Sequence, residues 1–249
     1  MDITRQHWPD YETSLRADSY DKLRVKDNAY QCIVNAAFSG AVIKDLARLP
    51  GGVSAEVTRL DLLLPDGTEK SIVLRVHGDT HHGHPAALEY NLLKALHRKG
   101  LPVPYPHYVD NTSQFLDHPF LITEFLPGSS AVPGESEQQY FKAAADTLTL
   151  IHSTSTVGLP QLTQRTDPVT ASITNLPDGI QWDALREYLC SLSASHYKGT
   201  LKLLHGDFWP ENLFWQDNKI TAVLDWEDAA VGDPLSDVCL LYTSDAADD

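Results

Sequence analysis

Basic residues are in short supply in this chain: 19 lysines and arginines stand against 34 aspartates and glutamates, a formal net charge of −15. A nucleic-acid surface needs basic patches to neutralise phosphates, so that class of partner is excluded as an expectation. The acidic balance suits a cationic substrate and equally suits plain solubility. Cysteine is nearly as scarce. Cys32, Cys190 and Cys239 lie far apart, fit no metal or disulfide spacing, and read as small apolar residues. Long apolar runs are missing too, none approaching the roughly 18 residues that cross a bilayer. The opening residues Met1 to His7 hold no apolar core of a secretory signal, which predicts a cytoplasmic protein. No repeat or low-complexity tract breaks the chain.

What is present is ordinary globular material, 42% apolar over 249 residues, enough for one large domain or two modest lobes. The last residues, Cys239 to Asp249, are set apart from fold reasoning. Their first ten match an in-frame translation of a transposon-end sequencing adapter. This predicts that the natural sequence ends near Val238 and that the gene continued beyond it.

The first third reads as β-rich. Val57 to Leu64 and Ser71 to Val76 are β-branched, apolar runs joined through Pro65-Asp66-Gly67, a hairpin signal. Pro85 opens a helical pattern carrying Leu88, Leu92, Leu93 and Leu96, stopped by Gly100 and Pro102. Two strand-like runs follow, Tyr105 to Val109 and Phe120 to Phe125, before Leu126-Pro127-Gly128 breaks the chain. Helical spacing then returns over Glu135 to His152 and Trp182 to His196. Short strand-like runs occupy Leu201 to Leu204, Leu213 to Trp215 and Ile220 to Leu224. A sheet-rich part, a linker and a mainly helical part predict an α+β fold of two lobes. The expected boundaries are 1–125 and 126–238, with 239–249 as the tail.

One segment concentrates chemistry: His205-Gly206-Asp207-Phe208-Trp209-Pro210-Glu211-Asn212, followed by Asp225 at the end of the apolar run from Ile220 to Leu224. Phosphoryl transfer to a hydroxyl needs a carboxylate to accept the nucleophile's proton and oxygen ligands to hold Mg²⁺ against the triphosphate. An Asp on a tight loop, an Asn five residues later and a second Asp at a strand end supply those groups. The tripeptide alone means little. His77-Gly78-Asp79 repeats it, with His84 where an Asn would be required.

The pattern His205-x-Asp207-x-x-x-x-Asn212…Asp225 resembles the signatures of the protein kinase-like superfamily. The H-G-D form, with Asp225-Trp226-Glu227-Asp228…Gly232-Asp233-Pro234…Asp237, is similar to the aminoglycoside phosphotransferase and choline kinase-like family in particular. The resemblance implies a kinase-like two-lobed fold with ATP and Mg²⁺ as cofactors and a small-molecule alcohol as acceptor. It implies Asp207 as catalytic base and Asn212 and Asp225 as metal ligands. His205 is implied as a brace for the loop, and Asp233 and Asp237 as support for the site or the acceptor pocket. In the first lobe, Arg75 stands where protein kinases carry lysine, inside the alternating strand Ser71 to Val76. An isolated cation there needs a partner, and Glu89 on the following helix is the natural one. Gly51, Gly52 and Ser54 resemble a phosphate-approaching glycine-rich loop, and Glu124 and Leu126 the hinge that meets adenine.

His81-His82-Gly83-His84 reads as an exposed loop. Trp209, Trp215 and Trp226 read as packing, with Trp209 or Trp226 able to face an acceptor. A protein kinase would carry Lys two residues after the base, D-F-G at the second Asp and A-P-E downstream. Those features are missing here. A nucleotide-binding pseudokinase or inactive fragment is the other reading, and the three filled acid and metal positions favour the enzyme. The family continues past this segment with helices lining the acceptor site, so slow turnover is expected of this chain.

Overall fold

The computed structural model describes residues 28–49, 55–79, 83–130, 137–165, 187–188, 197 and 199–238. Its largest feature is an antiparallel five-stranded sheet in the order β1-β2-β3-β5-β4. The strands are β1 (Val42–Arg48), β2 (Ala55–Leu63), β3 (Glu69–His77), β4 (Pro106–Asp110) and β5 (Phe120–Glu124). The β2–β3 turn is set by Asp66, whose carboxylate accepts from the Thr68 N–H (2.9 Å) and hydroxyl (2.7 Å). Register follows, with Leu60 opposite Ile72 and Thr58 opposite Leu74.

Alternation along these strands divides the sheet into two faces. Leu60, Leu62, Ile72, Leu74, Phe120 and Ile122 turn to one side, fully buried. They meet a helix over residues 28–37 (α1), which presents Tyr30, Ile33 and Val34 at helical spacing. Truncating such a leucine, as in Leu74→Ala, costs about 2–5 kcal/mol. Arg75, Val73 and Leu121 belong to the opposite face, toward helix α2 (Ala86–Arg98) and the rest of the chain. Leu92, Leu93 and Leu96 of α2 join Leu121 in a second core. That core continues into helix α3 (Glu137–Ser153) through Tyr140, Ala144, Leu148 and Ile151.

Beyond α3 the strands are short. β10 (Ala230–Gly232) lies between β6 (Thr163–Arg165), to which it is parallel, and β7 (Lys202–Leu204), to which it is antiparallel. A hairpin of β8 (Leu213–Gln216) and β9 (Lys219–Val223) turns through Asp217 and Asn218, with φ of 51° and 59°. Positive φ at both central residues suits the tight turn that matches strand twist. Trp215 packs its ring 5.2 Å from that of Tyr140, joining the hairpin to α3.

The mixed α+β architecture matches the sequence expectation, as do the hairpin, α2, α3 and the strand runs within a residue or two. Strands β1, β6 and β10 and helix α1 were not foreseen. The helix expected over Trp182 to His196, the glycine-rich stretch Gly51, Gly52 and Ser54, and the tail 239–249 lie outside the described residues, which include only 187 and 188 of that helix.

Candidate active site

The loop that follows β7 is held by its own first residue. His205 is fully buried and bonded at both ring nitrogens. Nδ1 accepts the Asp207 N–H (3.2 Å), so Nε2 carries the proton and donates to the Leu224 carbonyl (2.8 Å). Burial holds its pKa below the ordinary value against the pull of Asp237, keeping the ring in this neutral tautomer. One imidazole therefore ties Asp207 to the residue just before Asp225.

Gly206 lies between His205 and Asp207 at φ 88°, and a Cβ added there would sit 2.1 Å from the Asp228 carbonyl oxygen. Only glycine fits. Asp237, also fully buried, closes the loop from behind. Its Oδ1 accepts the Gly206 N–H (2.9 Å) and its Oδ2 the His205 N–H (3.0 Å) and His152 Nε2 (2.9 Å). Burial alone would raise this carboxyl. The hydrogen bonds from His152 and the two backbone amides outweigh it and bring the pKa below the ordinary range. Asp233, one helical turn earlier, accepts the Leu235 N–H (3.0 Å) and so caps the turn that presents Asp237.

Asn212 ends a 3₁₀ turn over Pro210–Asn212. Its Nδ2 donates to the Asp207 carbonyl (2.9 Å) and to the Asp207 carboxylate (3.0 Å), leaving the carboxamide oxygen outside those bonds. The Leu224 N–H donates to the Asn212 carbonyl (2.8 Å), bringing Asn212 beside Asp225. Asp225 follows in the left-handed region at φ 61°, which Asp tolerates better than most residues. Burial pushes the Asp207 carboxyl above the usual range, and the charges of Asp225 and Asp228 add to the effect. His205 and the Asn212 amide oppose it.

Arg75 reaches this cluster from β3. Its guanidinium donates to Glu89 (2.8 Å), to Asp225 (2.7 Å) and, by a shorter contact, to Glu227. The side chain is 15% exposed and Glu89 only 3%, so the pairing expected from sequence sits in a nearly dry setting. Burial works against the cation, but Glu89, Asp225 and Glu227 outweigh it and raise its pKa. Counted formally, three carboxylates around one guanidinium leave two negative charges in excess around Arg75.

The structure thus brings Asp207, Asn212, Asp225, His205, Asp237, Arg75 and Glu89 together, with Asp233 capping alongside. Glu124 lies at the end of β5, where its carboxylate accepts the Tyr105 N–H (2.7 Å) and its own N–H donates to Tyr105 O (2.9 Å). Leu126 follows, half-buried. Trp226 is fully buried, its Nε1 donating to Val223 O (3.0 Å), so it cannot face an acceptor as the sequence reading allowed. The reading of 81–84 as an exposed loop also fails for its described part. Gly83 and His84 are half-buried against residues 227–229 because both backbone and side chain bond there. Glu227, His84 and His152 were missed as site residues. Glu227 follows Asp225 within the quoted motif, which was a signal; the other two gave none. No cluster of three or more His, Cys, Asp or Glu arranged to hold a metal occurs among the described residues. Nor is any helix there long and apolar enough to cross a membrane.

A strand-borne cation paired with a helix glutamate, over a loop of the form H-x-D-x-x-x-x-N and a second aspartate, defines the kinase-like phosphotransferase fold. The chain belongs to the phosphotransferase enzyme family, whose family model matches residues 45–249. A thermostable mutant of aminoglycoside phosphotransferase APH(4)-Ia, solved with ADP and hygromycin B, superposes with a TM-score of 0.62 at 17% identity, covering 84% of this chain and 75% of its own. Macrolide 2′-phosphotransferase MphH from Brachybacterium faecium superposes at 0.60 and 24% identity, over 85% and 75%. Mouse acyl-CoA dehydrogenase family member 10 is 29% identical over 188 residues, 64% of this chain. Member 11 of that family from Pongo abelii is 27% identical over 177 residues, 62% of this chain. The chain spans 17% and 22% of the length of these two relatives.

Proposed function

We propose that the chain is an ATP-dependent phosphotransferase that moves the γ-phosphoryl group to a hydroxyl of a small molecule. The observation that carries this is the Asn212 side-chain amide bonding to Asp207 while the Asn212 backbone carbonyl accepts the Leu224 N–H, beside Asp225. A base and two oxygen donors are thereby convergent. In this reading residues 1–125 cover the nucleotide and 126–238 carry the catalytic groups.

Asp207 is the catalytic residue, accepting the acceptor hydroxyl's proton as the oxygen attacks. Its raised pKa strengthens it as a base, and Asn212 orients it. Mg²⁺ takes one or two protein oxygens and fills its shell with phosphates and water, and the Asp225 carboxylate with the Asn212 carboxamide oxygen fits that demand. The two excess negative charges around Arg75 favour a divalent cation further. When bound, Mg²⁺ would neutralise charge on the β- and γ-phosphates. Arg75, held by Glu89, would bind phosphate oxygens with its planar fork. Gly51, Gly52 and Ser54 would approach the phosphates, and Glu124 and Leu126 the adenine.

ADP release against a panel of aminoglycosides, macrolides, choline-like alcohols and sugars tests the proposal. At least one acceptor should stimulate release by the wild-type chain, and Asp207→Ala should abolish the stimulation. Equal release by both proteins would defeat the assignment.

A further inference from the structure

Gly83 and His84 immediately precede Pro85, the N-cap of α2, and Glu89 lies one turn into that helix. The His84 N–H donates to the Glu227 carbonyl (2.7 Å), and its imidazole Nε2 donates to the Ala229 carbonyl (2.7 Å). A Cβ at Gly83 would lie 2.6 Å from the Glu227 Cβ, so glycine permits this approach. The segment gripped here also carries Asp225 and Glu227, both bonded to Arg75. A single backbone hydrogen bond would leave the entry to α2 free to pivot. The imidazole supplies a second anchor, two residues further along the same segment, which removes that rotation. Ala229 is 1% exposed, so its carbonyl is poorly placed to find water instead.

We propose that His84 is a positioning residue, a latch that fixes α2, and with it the Glu89–Arg75 pair, to the segment bearing Asp225. The latch rests on the phosphotransferase reading for its catalytic consequence, but its geometry can be tested apart from it. The side chain acts as a donor, so glutamine should replace it in part and phenylalanine should not. In the full chain, His84→Phe should lower the kcat of acceptor-stimulated ADP release about tenfold or more, and His84→Gln should recover most of it. Hydrogen exchange should show faster exchange at residue 84 and in the first turn of α2 in the Phe variant only, with β2 and β3 unchanged. Wild-type turnover in His84→Phe, or equal losses in both variants, would overturn the latch. Should even the wild-type chain show no turnover that Asp207→Ala removes, the phosphotransferase reading fails instead. Exchange then decides the latch alone: unaltered protection in His84→Phe rejects it, and selective loss supports it.

Discussion

Arg75 and Asp225 meet at 2.7 Å, a strand residue of the first sheet bonded to a residue two positions past the end of β9. Glu89 and Glu227 share the same guanidinium, so one cation holds three elements in place. Arg75→Ala would take that cation away from Glu89, which is 3% exposed. Removing one member of a buried pair costs about 3–5 kcal/mol, because the other charge stays desolvated. Denaturant unfolding should show a loss of this size. Arg75→Lys keeps the charge but cannot present a planar fork to several oxygens, so it should fall in between. A loss below about 1 kcal/mol for Arg75→Ala would mean that the cation does not hold the cluster.

The raised pKa of Asp207 gives a pH dependence with a definite sign. A general base works only when deprotonated, so kcat/KM should fall with decreasing pH along an acid limb above the ordinary aspartate value of about 3.9. Asp207→Asn should lower kcat by about 10²–10⁴-fold. Folding disfavours the charged form here, so the same variant should be no less stable than wild type at neutral pH. An acid limb at the ordinary value would contradict the burial of this carboxyl.

Much of this site could be read along the chain because its parts are local. Asp207 and Asn212 are five residues apart on one loop, and Asp225, at the end of a hydrophobic run, was joined to them by the resemblance to the kinase-like signature. Arg75 was legible because an isolated cation in an alternating strand needs a partner and Glu89 was within reach. Other features carried no such pattern. Six of the seven residues of β1 are exposed and all three of β6 are, leaving no alternation to detect. β10 has only three residues. The roles of Glu227, His84 and His152 arise from contacts across 85 to 152 positions. Local propensity holds no information on these. Trp226 is packing, as its sequence reading had it, and only the option of its facing an acceptor falls away: neighbours in sequence of a site residue need not share its exposure.

Gly206 tests the loop geometry directly. Gly206→Ala would combine a left-handed φ with a Cβ 2.1 Å from a backbone oxygen, and that atom cannot rotate away as a side chain could. The loop must shift, carrying His205 and Asp207 with it. Strain of this kind costs about 1–3 kcal/mol, read as a lowered Tm. Turnover should fall more than stability does, since Asp207 is displaced from Asn212. Unchanged kcat in Gly206→Ala would show that the catalytic geometry tolerates movement of this turn.

Asp237 supplies the prediction most sensitive to acid. Its folded pKa lies below the ordinary aspartate value, so its contribution is fully present above the unfolded pKa of about 3.9 and fades as pH falls through the folded value. Asp237→Asn replaces a carboxylate that accepts from His152, His205 and Gly206 with a group that accepts through one oxygen only. Charge-assisted hydrogen bonds contribute about 1.5–3 kcal/mol each, so a loss of at least that size is expected at pH 7. His205 adds a separate effect, since its lowered pKa weakens the fold as pH drops below about 6.5. The Asp237 charge partly offsets that effect, so the variant, lacking it, loses at least as much stability through His205 as wild type does. The stability gap between wild type and Asp237→Asn should therefore not narrow between pH 7 and about pH 5, and the share owed to the carboxylate itself should be lost below about pH 4. A gap that stayed constant to pH 2 would mean that this carboxylate is not what fastens the His205–Gly206 backbone.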